Sequence, residues 1–149
     1  MAVSGAKLGY GTLLKRGDGG GPEVFTTIAE VRSITLPTQE REDVDVTHME
    51  SPNATREFIA GLADTGEASC VLNFRPDHVT QGAVSGIIDD SETRALRNYQ
   101  IVFDQFSGDP TCSFNAYVKS HGGEIVVDDA IQVNVVFKLS AAPTWTGTA

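Results

Sequence analysis

Residues 36–66 read LPTQEREDVDVTHMESPNATREFIAGLADTG, and for most of that length they show neither the apolar rhythm of a helix nor that of a buried strand. Compact domains seldom carry a connection longer than roughly 12–15 residues unless it is functional or disordered. This one is not low in complexity. It holds Val44, Val46, Met49, Phe58, Ile59 and Leu62, apolar groups that need a surface to rest on. The flanking chain reads as short β-strands, which leave little spare core to cover them. The expectation is therefore a long loop, residues 37–66, ordered by another copy of the same chain.

Upstream of that loop, Val24 to Leu36 is a β stretch rich in Val, Ile and Thr. Its alternation slips: Phe25, Thr27, Ala29 and Val31 keep one phase and Ile34 and Leu36 the other. A β-bulge near Arg32-Ser33 accounts for the slip. Before it, Leu13 to Lys15 begins a strand and Gly17 to Pro22 forms a turn. Residues 1–11 are small and glycine-rich, an extended arm. Downstream, Glu67 to Arg75 alternates cleanly, with Ala68, Cys70, Leu72 and Phe74 on one face. Asp77 reads as the N-cap of a helix whose apolar stripe is Val79, Ala83, Val84, Ile87 and Ile88. Asp89-Asp90-Ser91 ends it, and acids there oppose the helix dipole, so that end should fray. Three strands follow: one with Tyr99, Ile101 and Phe103 inward, one with Cys112, Phe114, Ala116 and Val118 inward, and one from Glu124 to Leu139 interrupted at Asp128-Asp129. His121-Gly122-Gly123 reads as the turn between the last two, and 140–149 as a tail. The sum is mainly β, a single domain over 1–149: a two-layer antiparallel sandwich or barrel with one helix packed on it.

The chain has 149 residues, enough for one domain with a real core. Its formal net charge is −9, and residues 37–66 alone carry 7 acids against 2 basic residues. A net-negative surface argues against gripping nucleic acid, whose binding draws largely on Lys and Arg at phosphates. It does not argue against letting DNA slide past. The N-terminus shows no apolar signal segment and no run approaches the ~20 apolar residues of a membrane span, so assembly in a cytoplasm is expected, with no membrane partner. Cys70 and Cys112 fall on the apolar sides of strands and read as two buried thiols.

No catalytic constellation emerges. His48, His78 and His121 lie in a loop, at a helix start and in a turn, and none has a second ligand at metal spacing. His48-Met49-Glu50 places a carboxylate near an imidazole without a nucleophile elbow. Asp43-Val44-Asp45 and Asp128-Asp129 lack calcium-loop spacing and read as solvated turns. Arg16-Gly17-Asp18 and the Asn53-Ala54-Thr55 sequon are short enough to arise by chance. Neither enzyme, cofactor nor metal is expected. Many alternating strands, one ordered-looking long loop and two tails suit self-association.

Glu42-Asp43-Val44-Asp45-Val46-Thr47-His48-Met49, followed by Arg56-Glu57-Phe58-Ile59-Ala60-Gly61-Leu62-Ala63-Asp64-Thr65-Gly66-Glu67, resembles the corresponding stretch of the major tail tube proteins of phages with long, non-contractile tails. The resemblance extends over nearly the whole chain in its order of elements. It implies a β-sandwich-like subunit that forms six-fold rings, stacked into a hollow tube whose lumen is lined by a continuous β-barrel. The long loop and the termini would make inter-subunit contacts, with Val44, Asp45, Val46, His48, Met49, Arg56, Phe58, Ile59 and Leu62 as the contact residues. Asp104, Glu124, Asp128 and Asp129 are the candidate lumen-facing acids. The implied partners are further copies of the chain, a tape-measure protein in the lumen, tail-tip or baseplate and terminator proteins at the ends, and DNA in transit to the host. The implied location is the virion tail. Some relatives carry an extra Ig-like domain; this chain is expected to have none. Two alternatives stay open on the sequence: another tube-fold member, such as a secretion-system tube or tail adaptor protein, or a β-sandwich binding module.

Overall fold

Period-two alternation of apolar and polar residues builds the main sheet. The computed structural model describes residues 3–147; Met1, Ala2, Thr148 and Ala149, at the outer ends of the expected arm and tail, lie outside the described residues. The strands are β1 (Thr12–Gly17), β2 (Phe25–Thr27), β3 (Val31–Thr35), β4 (Gln39–Asp45), β5 (Phe58–Thr65), β6 (Glu67–Asn73), β7 (Arg97–Phe103), β8 (Thr111–Gly122), β9 (Gln132–Leu139) and β10 (Thr144–Thr146), and the helix α1 is Ile87–Thr93. One antiparallel sheet runs β2-β1-β7-β8-β9-β6-β3, with β10 added to β8. It curves round its own apolar face. Leu14, Tyr99, Ile101, Cys112, Phe114, Ala68, Cys70, Leu72, Val135 and Phe137 are all buried there, each from the inward phase of its strand. Register brings them together, as in Ile101 opposite Cys112, Val118 opposite Phe137 and Cys70 opposite Val135. Tyr99 packs on Phe137 at 4.6 Å and on Phe114 at 5.7 Å between ring centres.

The upstream β stretch is two strands, because Glu30 takes φ 54° and breaks it. The register shift lies between Val31 and Ser33, where the slip in alternation placed the bulge. The helix differs from expectation. Residues 76–86 form successive turns and α1 begins only after Gly86. The apolar spacing that suggested a helix from Asp77 is defeated by the backbone: a Cβ on Gly86 would stand 2.4 Å from the Gly82 nitrogen, a fold-back that only glycine permits. Asp77 pairs with Arg75 at 2.9 Å rather than capping, and Val79 and Val84 are exposed. Gln81 pins the turns instead. Its Nε2 donates to the carbonyls of Ala29 (2.7 Å) and Asn73 (3.2 Å), and its Oε1 accepts from the Arg75 N–H at 2.7 Å. Asp89 and Asp90 thus fall in the first helical turn, where the dipole favours them, and not at a fraying end.

The last hairpin is also displaced. Strand β8 continues through His121 and Gly122, which pair with Val135 and Asn134, so the expected turn at 121–123 is strand. The connection is 123–131, and β9 starts at Gln132 rather than Glu124. In the tail, Trp145 pairs opposite Cys112 and stacks on Phe103 at 5.9 Å with the rings nearly parallel.

Candidate assembly interface

Gln39–Asp45 and Phe58–Thr65 pair with each other and with no other described strand. The long loop is therefore a two-stranded β-hairpin that stands away from the core. Every residue of β4 is exposed. Val44 sits opposite Ile59, and Asp45 opposite Phe58, so opposite faces carry Val44, Val46 and Ile59 on one side and Asp43, Asp45 and Phe58 on the other. Arg41 pairs with Ala63 and Asp43 with Ala60: two steps on β4 match three on β5, which places a bulge at Gly61-Leu62. A Cβ on Gly61 would meet the Glu42 carbonyl oxygen at 3.0 Å and a Val44 methyl at 3.1 Å, so a larger residue there would press on β4. Leu62 beside it is 90% exposed and Met49 at the tip fully so. Arg56 is exposed as well.

Polar bonds, not apolar packing, hold the tip. The Ser51 hydroxyl donates to Glu57 at 2.6 Å and accepts from the His48 N–H at 3.0 Å. His48 Nδ1 lies 3.2 Å from Ser51 Oγ and 3.3 Å from the Glu57 carboxylate. The Glu57 N–H donates to Thr47 Oγ1 at 2.9 Å and the Val46 N–H to the Glu57 carbonyl at 2.9 Å. Thr47, through its hydroxyl and its N–H, holds the Asp45 carboxyl below its usual range. The carboxylate at the imidazole is Glu57, across the tip, and not the sequence neighbour Glu50. Ser51 and Glu57 were missed as a pair because their link exists only once the tip is closed.

Strand polarity sorts the rest of the surface into two ends. The hairpin, the arm before Thr12, the β7–β8 turn and β10 share one end. The connection 123–131 and the turns 74–86 share the other. Asp104 lies at the first end, whereas Glu124, Asp128 and Asp129 lie at the second, and all four are exposed. The 12 residues of β8 separate them by roughly 35–40 Å at about 3.3 Å per residue, so the structure does not gather the four acids into one cluster. Between the two ends, the outward phase of β7 and β8 carries Asn98, Gln100, Ser113, Asn115, Tyr117 and Lys119, the last ion-paired with Glu67, and Lys15 of β1 stands opposite Gln100. Asn115 Nδ2 donates to Asn98 Oδ1 at 2.8 Å and Asn98 Nδ2 to Glu23 at 2.8 Å.

A buried apolar core, an outward polar face and an exposed hairpin whose strands pair with no other described strand suit a structural subunit that self-assembles. The family model described as lambda phage tail tube protein matches residues 17–146. The chain belongs to that family. It is a structural, tube-forming protein of the virion, placed in the tail. Solved structures share the fold. The tail of an empty gene transfer agent particle, of C6 symmetry, superposes at a TM-score of 0.71 with 22% identity, over 95% of this chain and 99% of that one. The SPP1 tail tube gives 0.72 with 12% identity over 95% and 79%. The sheath-tube complex of the extracellular contractile injection system PVC gives 0.68 with 11% identity over 98% and 95%. No curated protein sequence matches the chain.

Proposed function

We propose that the chain is a single-domain subunit that closes into six-membered rings, that the rings stack into a hollow tail tube, and that the hairpin 38–65 makes the contacts between subunits. The observation that carries this reading is the hairpin itself: Val44, Met49, Phe58, Ile59 and Leu62 are exposed on its two faces and tip, and its strands pair with no other described strand. An exposed apolar patch on an otherwise well-packed protein marks a contact surface. Ring closure also removes the free sheet edges that would otherwise pair without control. The C6 symmetry of the gene transfer agent tail supports the ring size. The role is mechanical, with no catalysis.

The lumen would first hold a tape-measure protein and then conduct DNA, with baseplate and terminator proteins at the tube ends and assembly in the host cytoplasm. A wall of Asn98, Gln100, Ser113 and Asn115, with Lys119 of β8 already paired with Glu67, gives DNA little cationic grip. Asp104 at one end of β8 and Glu124, Asp128 and Asp129 at the other would form acidic collars at each ring's two rims. Removing Thr38 to Asp64 is expected to leave a folded monomer that forms no tubes in negative-stain microscopy. Tubes from that variant would refute the role of the hairpin.

A further inference from the structure

Strand β3 pairs with β6 along one edge, and its other edge pairs with no described strand. That free edge faces β1 across an open groove of about 700 Å³ whose walls include Leu13, Ile34, Leu36 and Phe103, with Arg32 on β3. An unpaired edge is a template for a further strand, and apolar walls beside it supply the side-chain pockets that strand addition uses. Arg32 is exposed and forms no hydrogen bond or ion pair with a described residue. The hairpin carries the converse features. Glu42 and Val44 on β4 and Val46 just beyond it alternate onto one face, Ile59 joins them from β5, and the Glu42 side chain has no described partner. Both outer edges of the hairpin are free. It is rooted at the groove wall, at Leu36, yet stands clear of the groove in its own chain.

We propose that the groove between β1 and β3 seats the β4–β5 hairpin of a neighbouring copy, with β4 added to the free β3 edge, Val44 and Val46 over the apolar wall and Glu42 beside Arg32. This rests on the reading of the chain as a tube subunit and says where the hairpin goes. Apolar surface meets apolar surface, and the acidic strand meets the one groove residue of opposite charge.

Crosslinking tests the seat. A chain carrying both Ser33→Cys and Glu40→Cys, assembled and treated with a short bismaleimide, should give a ladder of covalent multimers on a denaturing gel. Each single variant should stay monomeric. Cys70 and Cys112 are buried, at 2% and 0% exposure, and do not compete. Normal tubes without a ladder would overturn the seat while leaving the tube function standing; a wild-type chain that never forms tubes would overturn that function. A ladder from Ser33→Cys with Leu8→Cys, and none with Glu40→Cys, would give the groove to a neighbour's arm and also overturn the proposal. In parallel, Arg32→Glu should cut tube yield at low salt by about tenfold, and Glu42→Arg in the same chain should restore it. An Arg32→Glu variant that assembles normally, or a swap without rescue, counts against the seat.

Discussion

Asp90 is the residue on which the packing of the helix depends. It is fully buried, and its carboxylate takes Arg16 in a two-bonded grip at 2.5 and 2.7 Å, Arg97 at 3.1 Å and the Tyr99 hydroxyl at 3.5 Å. Helix α1 is thereby tied to β1 and β7. Hydrogen bonding to Asp90 pushes the Arg16 guanidinium above its ordinary value. Breaking a buried ion pair from one side leaves charge without compensation, at about 3–5 kcal/mol. Asp90→Ala should lose about that much in urea unfolding of the unassembled protein; a loss under ~1 kcal/mol would mean that water reaches the site. Cys70 gives a second test. Burial pushes its thiol up to about 12, against about 8.5–9 in an unfolded chain. The native state keeps a proton that the unfolded state has lost anywhere in that window, so stability is whole below about pH 9 and falls as pH rises towards 12. The slope is at most about 1.4 kcal/mol per pH unit. Comparing Cys70→Ala with the wild type across pH 8–11 should show the shallower alkaline fall in the variant; equal slopes would place the effect on other groups, with Tyr99, also raised by burial, the first of them.

At the scale of elements, the hairpin is closed at its tip by the bonds among His48, Ser51 and Glu57. Ser51→Ala removes the hydroxyl that joins His48 to Glu57, for about 1 kcal/mol of local stability. Hydrogen exchange at the Val46 and Glu57 amides should quicken while melting of the main sheet stays put, since hairpin and sheet share no strand pairing. A shift in global melting would show the two elements to be coupled. Which elements were legible in the sequence follows the same physics. Strands β6, β7 and β8 buried the residues their alternation marked, because a sheet with one face in the core repeats every two residues. The helix was misplaced because Val79, Ala83 and Val84 mimic a helical stripe, whereas the turns there are set by Gln81 reaching to Ala29 and by a glycine fold-back, both non-local facts. Residues 37–66 read as loop because a hairpin exposed on both faces has no apolar alternation to display; Glu40, Glu42, Asp43 and Asp45 follow one another on a strand that water surrounds. The candidate contact residues Val44, Val46, Met49, Phe58, Ile59 and Leu62 could be singled out there by their apolar character, but their division between two faces needed the register.

The whole molecule carries a net charge of −9, and its arrangement matters more than its size. Any positive contact inside a narrow tube is repeated by every subunit of every ring, so a weak attraction to phosphate becomes a long series of traps. On the outward face of β8, Lys119 is already ion-paired with Glu67, and acids at the two ends of β8 repel phosphates over no more than about 8–10 Å in physiological salt. Replacing Asp128 and Asp129 by Lys reverses that sign once per subunit and ring. Ejection of DNA from particles with such tubes is expected to slow, and to recover as salt rises, because each phosphate contact contributes a slope of about −0.9 in log affinity against log salt. Asp104→Lys tests the opposite rim. Slowing by both rims places the two acidic ends of β8 on the DNA path; slowing by one rim places only that end there. Ejection kinetics unchanged by either would move the lumen to another face of the subunit.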